Sequence, residues 1–587
     1  MMSAYPGFSR AAARPFPTLL TGLLLAAASV STAQAQLLAF PGAEGAGRFT
    51  TGGRGRGTAG TTVFEVTSLA DTNTPGTLRY ALSQSVTTVP ARTVVFRVCG
   101  TIHLLTRLNI PRNTTLAGQT APGDGICIAD KQVTVNGDNV IIRFMRFRLG
   151  DRYQRLVNAN GQPVNGSGDD DALSGIDRKN LIIDHCTMSW SNDEAFTFYG
   201  AACDSMTLQW NLISEPLNYS YHFETGDTDY ERHGYGGIWG GRRASFHHNM
   251  FAHCLSRTPR WNGTRYGAAI GSENCDFRNN VIYNWGSNNV YGGEGGNYNI
   301  VNNYYKPGPS TTSNRARIMN PYRQTTAPVL PFPQLYIAGN YVDGNATNTA
   351  RNWRGVGMQG TSQADTVLSK VNTEFNIGPV STETAQQAYA SVLAGVGCVL
   401  PARDALDQRI MDDVRNRTGA IIDVQGGFPH GTPYAQTTGA WPTLNCGPAP
   451  VDSDHDGMPD AWETANGLNP TNAADRNAIA PNGYPNLENY LNGLVMLPTA
   501  TRPGGKATGS LLLYPTPAAA QVTLAHPRAS RDARITVYSF VGQPLSSRPA
   551  TAGTEETQFD LGALAKGNYL VVYTDGSVQL SAKCVRE

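Results

Sequence analysis

The chain has 587 residues, 16% of them charged, and a formal net charge of +1 at pH 7. That length allows a large core and more than one domain, and so even a charge balance gives no support for a nucleic-acid partner, which asks for a basic excess. Nine cysteines without a C-x-x-C pair remove the commonest zinc and redox patterns and point to buried thiols.

In chain order, Arg10 and Arg14 precede an apolar run from Leu19 to Val30, closed by Ala33-Gln34-Ala35. Residues 1–35 therefore read as a secretory signal, too short for a membrane span, and a secreted or cell-surface location follows. Removal of the signal leaves 44 basic against 45 acidic residues. No later stretch is long and apolar enough to predict an integral membrane span, and a monomer is expected.

Residues 36–446 are dominated by one pattern, an apolar strand ending at a polar corner: Val140–Phe144, Leu181–His185, Thr207–Asn211, Ser245–Asn249, Asp276–Asn280, Asn299–Asn303 and Tyr336–Asn340. Their last residues are separated by 41, 26, 38, 31, 23 and 37 positions, about one solenoid coil at the short end and a coil plus loop at the long end. Five of the seven end in Asn, which can hydrogen-bond along a stack and tolerates the left-handed backbone of a corner. An antiparallel sandwich would need regular two-residue hairpins, which are not systematic here, so the spacing predicts an all-β fold, a parallel β-helix. Helical periodicity takes over at 382–395 and 401–418, where segments should pack outside the solenoid.

Several short motifs, in order, carry a resemblance: Ala39-Phe-Pro-Gly-Ala-Glu-Gly-Ala-Gly47, Gly76-Thr-Leu-Arg-Tyr-Ala-Leu82, Val95-Phe-Arg-Val-Cys-Gly-Thr-Ile102, Ile183-Asp-His-Cys186, His247-His-Asn249 and Arg257-Thr-Pro-Arg260. Together they resemble polysaccharide lyase family 1, the pectate lyases, over roughly residues 39–310. The resemblance implies a right-handed parallel β-helix and calcium-dependent β-elimination of polygalacturonate. It implies calcium ligands at Asp169 and Asp171, where alternate strand residues share a face, joined by Asp193 and Glu194. It also implies Arg257 as base or proton-transfer group, although a free guanidinium holds its proton to above about pH 12. Arg260 is expected to clamp a substrate carboxylate. The chain departs from the family where a later carboxylate is replaced by Thr197 or Phe198 and where a substrate-binding Lys has no counterpart. Arg232, His233 or Tyr235 stand near the latter position, and His222 and His233 are expected to orient the sugar. Arg242, Arg243, Arg257, Arg260, Arg265 and Arg278 suit a groove for a polymer with one carboxylate per sugar. Two alternatives stay open: a polygalacturonase-type hydrolase using Asp169 to Asp171 and Asp184, and a non-catalytic adhesin or glycan-binding module.

After Cys446 the composition changes. Asp452-Ser-Asp-His-Asp-Gly-Met-Pro-Asp-Ala-Trp-Glu463 fits D-x-D-x-D-G-x5-E, so Asp452, Asp454, Asp456, Asp460 and Glu463 are expected to hold a structural calcium ion within a segment 447–498. A linker over 499–509 leads to a β-rich tail, 510–587. Its Leu513-Tyr-Pro-Thr-Pro-Ala518 and Gly567-Asn-Tyr-Leu-Val-Val-Tyr573 resemble the type IX secretion sorting domain, which implies that secretion machinery as a partner. A small carbohydrate-binding β-sandwich is the alternative.

Overall fold

Each coil of the central body turns three corners and lays down three short strands, so that like strands of successive coils pair in parallel. The computed structural model describes residues 36–55, 60–495, 511–515, 518–539, 544–565, 567–575 and 578–586. The signal expected over 1–35 and the linker over 499–509 lie outside them. Among the described residues, ten strands from Thr62–Val66 to Gln334–Ala338 form the first sheet. Eight from Leu108–Ile110 to Asn320–Pro321 form the second, and nine from Gly100–His103 to Tyr341–Val342 the third. The three together are a parallel β-helix.

All seven segments read from the sequence lie in or end the strands of the ten-stranded sheet. Their register corrects the expected alignment at one corner. Asp184 pairs with Gln209, so His185 stacks under Trp210 rather than Asn211, and Cys186 is the coil-mate of Asn211. The left-handed backbone falls one residue ahead of the Asn ladder, at His185, Trp210, His248, Asn279 and Asn302. Asn therefore serves at the next position for its amide. Asn211 donates to Asn249, Asn249 to Asn280, Asn280 to Asn303 and Asn303 to Asn340, each at 3.0 Å. These amides are buried, where an unpaired polar group would cost about 1–3 kcal/mol. Beside the ladder, Phe144, His185, Trp210 and His248 form a ring stack with centroids 4.4–5.7 Å apart.

The interior is filled by alternate side chains of the strands, including Phe196, Phe198, Trp239, Phe246, Trp261 and Phe277. The helical periods become Ala385–Gly395 and Ala405–Asn416. Their apolar faces (Val392, Ile410, Met411 and Val414) cover Leu212, Met250 and Tyr283 of the nine-stranded sheet. The second helix is also tied by buried ions: Arg148 bonds Asp404 and Asp407, and Arg146 lies 3.1 Å from Asp404.

The segment after Cys446 is not a free linker. Cys99 and Cys446 form a disulfide across 347 residues of sequence, while Cys127, Cys186, Cys203, Cys254, Cys275, Cys398 and Cys584 are buried thiols. Met458, Leu487, Tyr490 and Leu491 then pack on Val95 and Ala117 of the first coils. The tail forms antiparallel sheets of three and four strands around a core of its own.

Candidate active site and calcium loop

Residues just ahead of successive strands in the eight-stranded sheet stack from coil to coil. Leu173 pairs with Phe196, and two positions earlier the Glu194 N–H donates to Asp171 Oδ1 at 3.0 Å. Glu194 bridges to Tyr235, and Tyr235 to Ser256, with Arg257 next in the chain. One sheet edge thus presents two acids, an aromatic ring and a guanidinium from four consecutive coils. Oxygens of Asp171, Asp193 and Glu194 lie within 4.8 Å of one another. Arg257 touches Glu194 through Nη1, and its guanidinium sits 4.3 Å from the centre of the Tyr235 ring. Its backbone is left-handed (φ 57°), a conformation a long side chain rarely adopts and one it shares with the corner residues of the ten-stranded sheet.

Burial pushes the Asp171 carboxyl well above the usual range, helped by the charges of Asp193 and Asp170. Desolvation acts on the half-buried Asp193 too, but the hydrogen bond and charge of His233 hold it below that range. Three crowded carboxylates against one guanidinium make a donor set suited to a hard divalent cation, which prefers oxygen ligands.

His222 and His233 both turn into this site, their rings 3.6 Å apart. His233 reaches Asp193 at 2.7 Å through Nε2 and Glu231 at 2.6 Å through Nδ1. Burial opposes its charge, but these two bonds outweigh that and push it up to about 9. His222 moves the other way, to about 4, through burial and the neighbouring His233. Arg260 is buried against Glu294 at 2.9 Å, with its second terminal nitrogen lacking a hydrogen-bond partner beneath Tyr291 and Tyr322.

Three expectations are corrected. Asp169 does not share a face with Asp171. Residues 169–171 precede the strand, so its alternation has not begun, and Asp169 turns outward to Arg107 at 2.9 Å. Arg107 also binds Asp170, a partnership the sequence did not reveal. Arg232 points out over Tyr219, 3.9 Å from Asp423, because the Tyr219–Arg232 bridge turns alternate residues of that loop apart, His233 inward and Arg232 outward. The arginine groove is also smaller than expected. Arg242 bonds the Ala201 carbonyl at an exposed turn, and Arg243 and Arg278 belong to the ten-stranded face, paired with Asp204 and Asp276, which leaves Arg257, Arg260 and Arg265 on the site's sheet. Asp184, needed by a hydrolase, is sealed between Arg143, His185 and Gln209. Glu231 was missed, although its period-two spacing from His233 places both on one face of an extended loop.

In the second acidic cluster, Asp452, Asp454 and Asp456 bring oxygens within 4.8 Å of one another, as do Asp456, Glu463 and Asp475. Both oxygens of Asp454 and of Glu463, and one each of Asp456 and Asp475, are buried without hydrogen-bond partners. Burial and mutual repulsion push Asp456 up to about 7 and Glu463 to about 8. Orphaned carboxylate oxygens converging on one point fit a calcium ion. Asp460 stands apart: its two oxygens accept from the N–H and hydroxyl of Ser453, each at 2.7 Å, which closes the loop instead of facing its centre. Asp475, outside the twelve-residue motif, joins from the following turn.

The chain is similar to several known proteins. "Probable pectate lyase C" of Aspergillus flavus is 31% identical over 488 residues, covering 81% of this chain and 98% of that protein. The chain belongs to the pectate lyase family. The corresponding protein of Aspergillus terreus is 30% identical over 467 residues, covering 78% of this chain and 94% of its own length. Among solved structures, "Pectate lyase bound to hexasaccharide" aligns at 15% identity with a TM-score of 0.41, covering 62% of this chain and 99% of that one. Jun a 1, the major allergen from cedar pollen, aligns at 17% identity with a TM-score of 0.40, covering 60% and 92%. Residues 512–587 match the family described as "Secretion system C-terminal sorting domain". Membership in the pectate lyase family makes the chain a polysaccharide lyase, and its tail indicates a secreted or cell-surface protein.

Proposed function

We propose that the chain cleaves polygalacturonate by calcium-dependent β-elimination at the edge formed by Asp171, Asp193, Glu194, Tyr235 and Arg257. The observation that carries this reading is the contact of Arg257 with Glu194 inside a triad of carboxylates. Asp171, Asp193 and Glu194 would hold the calcium ion, whose charge binds a uronate carboxylate and acidifies the carbon-bound proton next to it. Glu194 can give its oxygen either to Arg257 or to a shared cation. With its oxygen committed to a cation, Glu194 would no longer hold Arg257, whose guanidinium would stay over Tyr235 at the cleft. There Arg257, having given one guanidinium proton to water, would take the C5 proton while the C4–oxygen bond breaks; the C–H electron pair forms the double bond between C4 and C5, and the departing oxygen leaves with its own pair and is protonated by water. Arg260 has one terminal nitrogen not taken by Glu294, and it would meet a substrate carboxylate once Tyr291 and Tyr322, which cover it, turn aside. On this reading residues 36–446 are catalytic, and 447–498 bind a structural calcium through Asp452, Asp454, Asp456, Glu463 and Asp475. Residues 510–587 address the chain to the type IX secretion machinery.

The test is product analysis on polygalacturonate. The reading predicts ultraviolet-absorbing unsaturated ends that disappear with chelator and return with calcium. Saturated reducing ends formed equally with chelator would establish a hydrolase instead.

A further inference from the structure

His222 is 97% buried, as its 3% exposure shows, yet neither ring nitrogen has a hydrogen-bond partner. The nearest carboxylate oxygens, on Glu231 and Glu224, are 3.7 and 3.8 Å away, too far to bond. A buried imidazole without a partner is costly, and its direction is informative. One nitrogen each of His222 and His233 and one oxygen of Asp193 lie within 4.8 Å of one another. The third feature is the orientation of His233. Glu231 takes its Nδ1 at 2.6 Å, leaving Nε2 aimed at Asp193 at 2.7 Å. A carboxylate behind one imidazole nitrogen is the arrangement that orients a histidine towards a metal on its other nitrogen.

We propose that Asp193, His222 and His233 form a second cation site, for a borderline divalent ion of the zinc class, separate from the all-oxygen site of Asp171 and Glu194. Imidazole selects such ions over calcium, which takes oxygen ligands. Three protein ligands leave a coordination position open, and Asp193, whose side chain keeps 24% of its exposure, places that position towards solvent and the cleft. A water molecule or a uronate oxygen would fill it. Asp193 is common to both donor sets, so it bridges the two cation positions, and Glu231 acts behind His233 as the orienting carboxylate. Binding releases the proton that His233 shares with Asp193 and gives His222 the partner it lacks.

The experiment is a cobalt titration of the untagged, chelator-stripped chain in excess calcium, which fills the oxygen-only sites, followed by visible absorption. The expected result is uptake of one Co2+ per chain with the absorption of a low-coordinate nitrogen and oxygen site, lost again on adding zinc. His222→Ala and His233→Ala should each weaken uptake about tenfold or more, while Asp171→Asn leaves it unchanged. Absence of stoichiometric uptake by the wild-type chain overturns the proposal, whatever the variants do. Equal uptake by a folded His222→Ala/His233→Ala double variant overturns it as well.

Discussion

In the proposed reaction the chemistry turns on Arg257, whose surroundings hold it in place without burying it. It reaches Glu194, lies over Tyr235 and keeps a left-handed backbone. Arg257→Ala removes no core side chain, so the variant should fold with wild-type thermal stability while kcat on polygalacturonate falls by on the order of 10³. A folded variant with full turnover would remove Arg257 from the reaction. A second residue prediction concerns Glu273, buried beneath Tyr298, Asn262 and the Gly263 N–H. Burial pushes its carboxyl up to about 7 from an ordinary 4.5. The folded chain thus binds this proton more tightly than the unfolded one. The contribution is full below pH 4.5 and is lost as pH rises through 7. Glu273→Gln cannot ionise, so its melting temperature should fall less than the wild type's between pH 5 and 8, and parallel profiles would contradict this. At this scale the motifs pointed to Arg257, Asp171, Asp193 and Glu194, which the fold brings together, because they sit at fixed offsets from strands. Asp169 misled, since strand alternation was applied one turn too early.

The elements are governed by the corner ladder. Asn280 donates to Asn303 and accepts from Asn249 in a dry stack, so Asn280→Ala breaks two links and strands their partners. Denaturant unfolding should show a loss of about 2–4 kcal/mol, against near zero for an exposed Asn such as Asn472. A loss below 0.5 kcal/mol would mean that the strands alone set the coil spacing. Coil strands were legible because apolar alternation and a recurring Asn repeat at coil intervals. The one-residue offset at Asn211 was not, because His185 and Trp210 share a corner only through ring stacking, which has no fixed residue type. The outer helices were legible from periodicity, but not their buried anchors on Arg146 and Arg148, 256 residues away in sequence.

For the whole molecule, the chain after Cys446 folds back on the first coils through a disulfide, an apolar patch and an acidic loop. Calcium should therefore stabilise the attachment of residues 447–495 more than the β-helix itself. With chelator, limited proteolysis should cut within that segment while the helix core survives. Asp475→Asn should weaken calcium protection yet leave turnover near wild type in excess calcium. Identical digestion with and without chelator would argue against the loop. The motif revealed four of the five converging acids; Asp475 is supplied by a later turn that only folding brings near, and Asp460 shows that a matching position can bond its own loop instead. The most direct test of the central claim is a crystal structure of Arg257→Ala with calcium and an oligogalacturonate. The account predicts an ion among Asp171, Asp193 and Glu194, bonded to a uronate carboxylate whose C5 faces the vacated guanidinium position. An oligosaccharide bound along another sheet, or an ion remote from these acids, would contradict it.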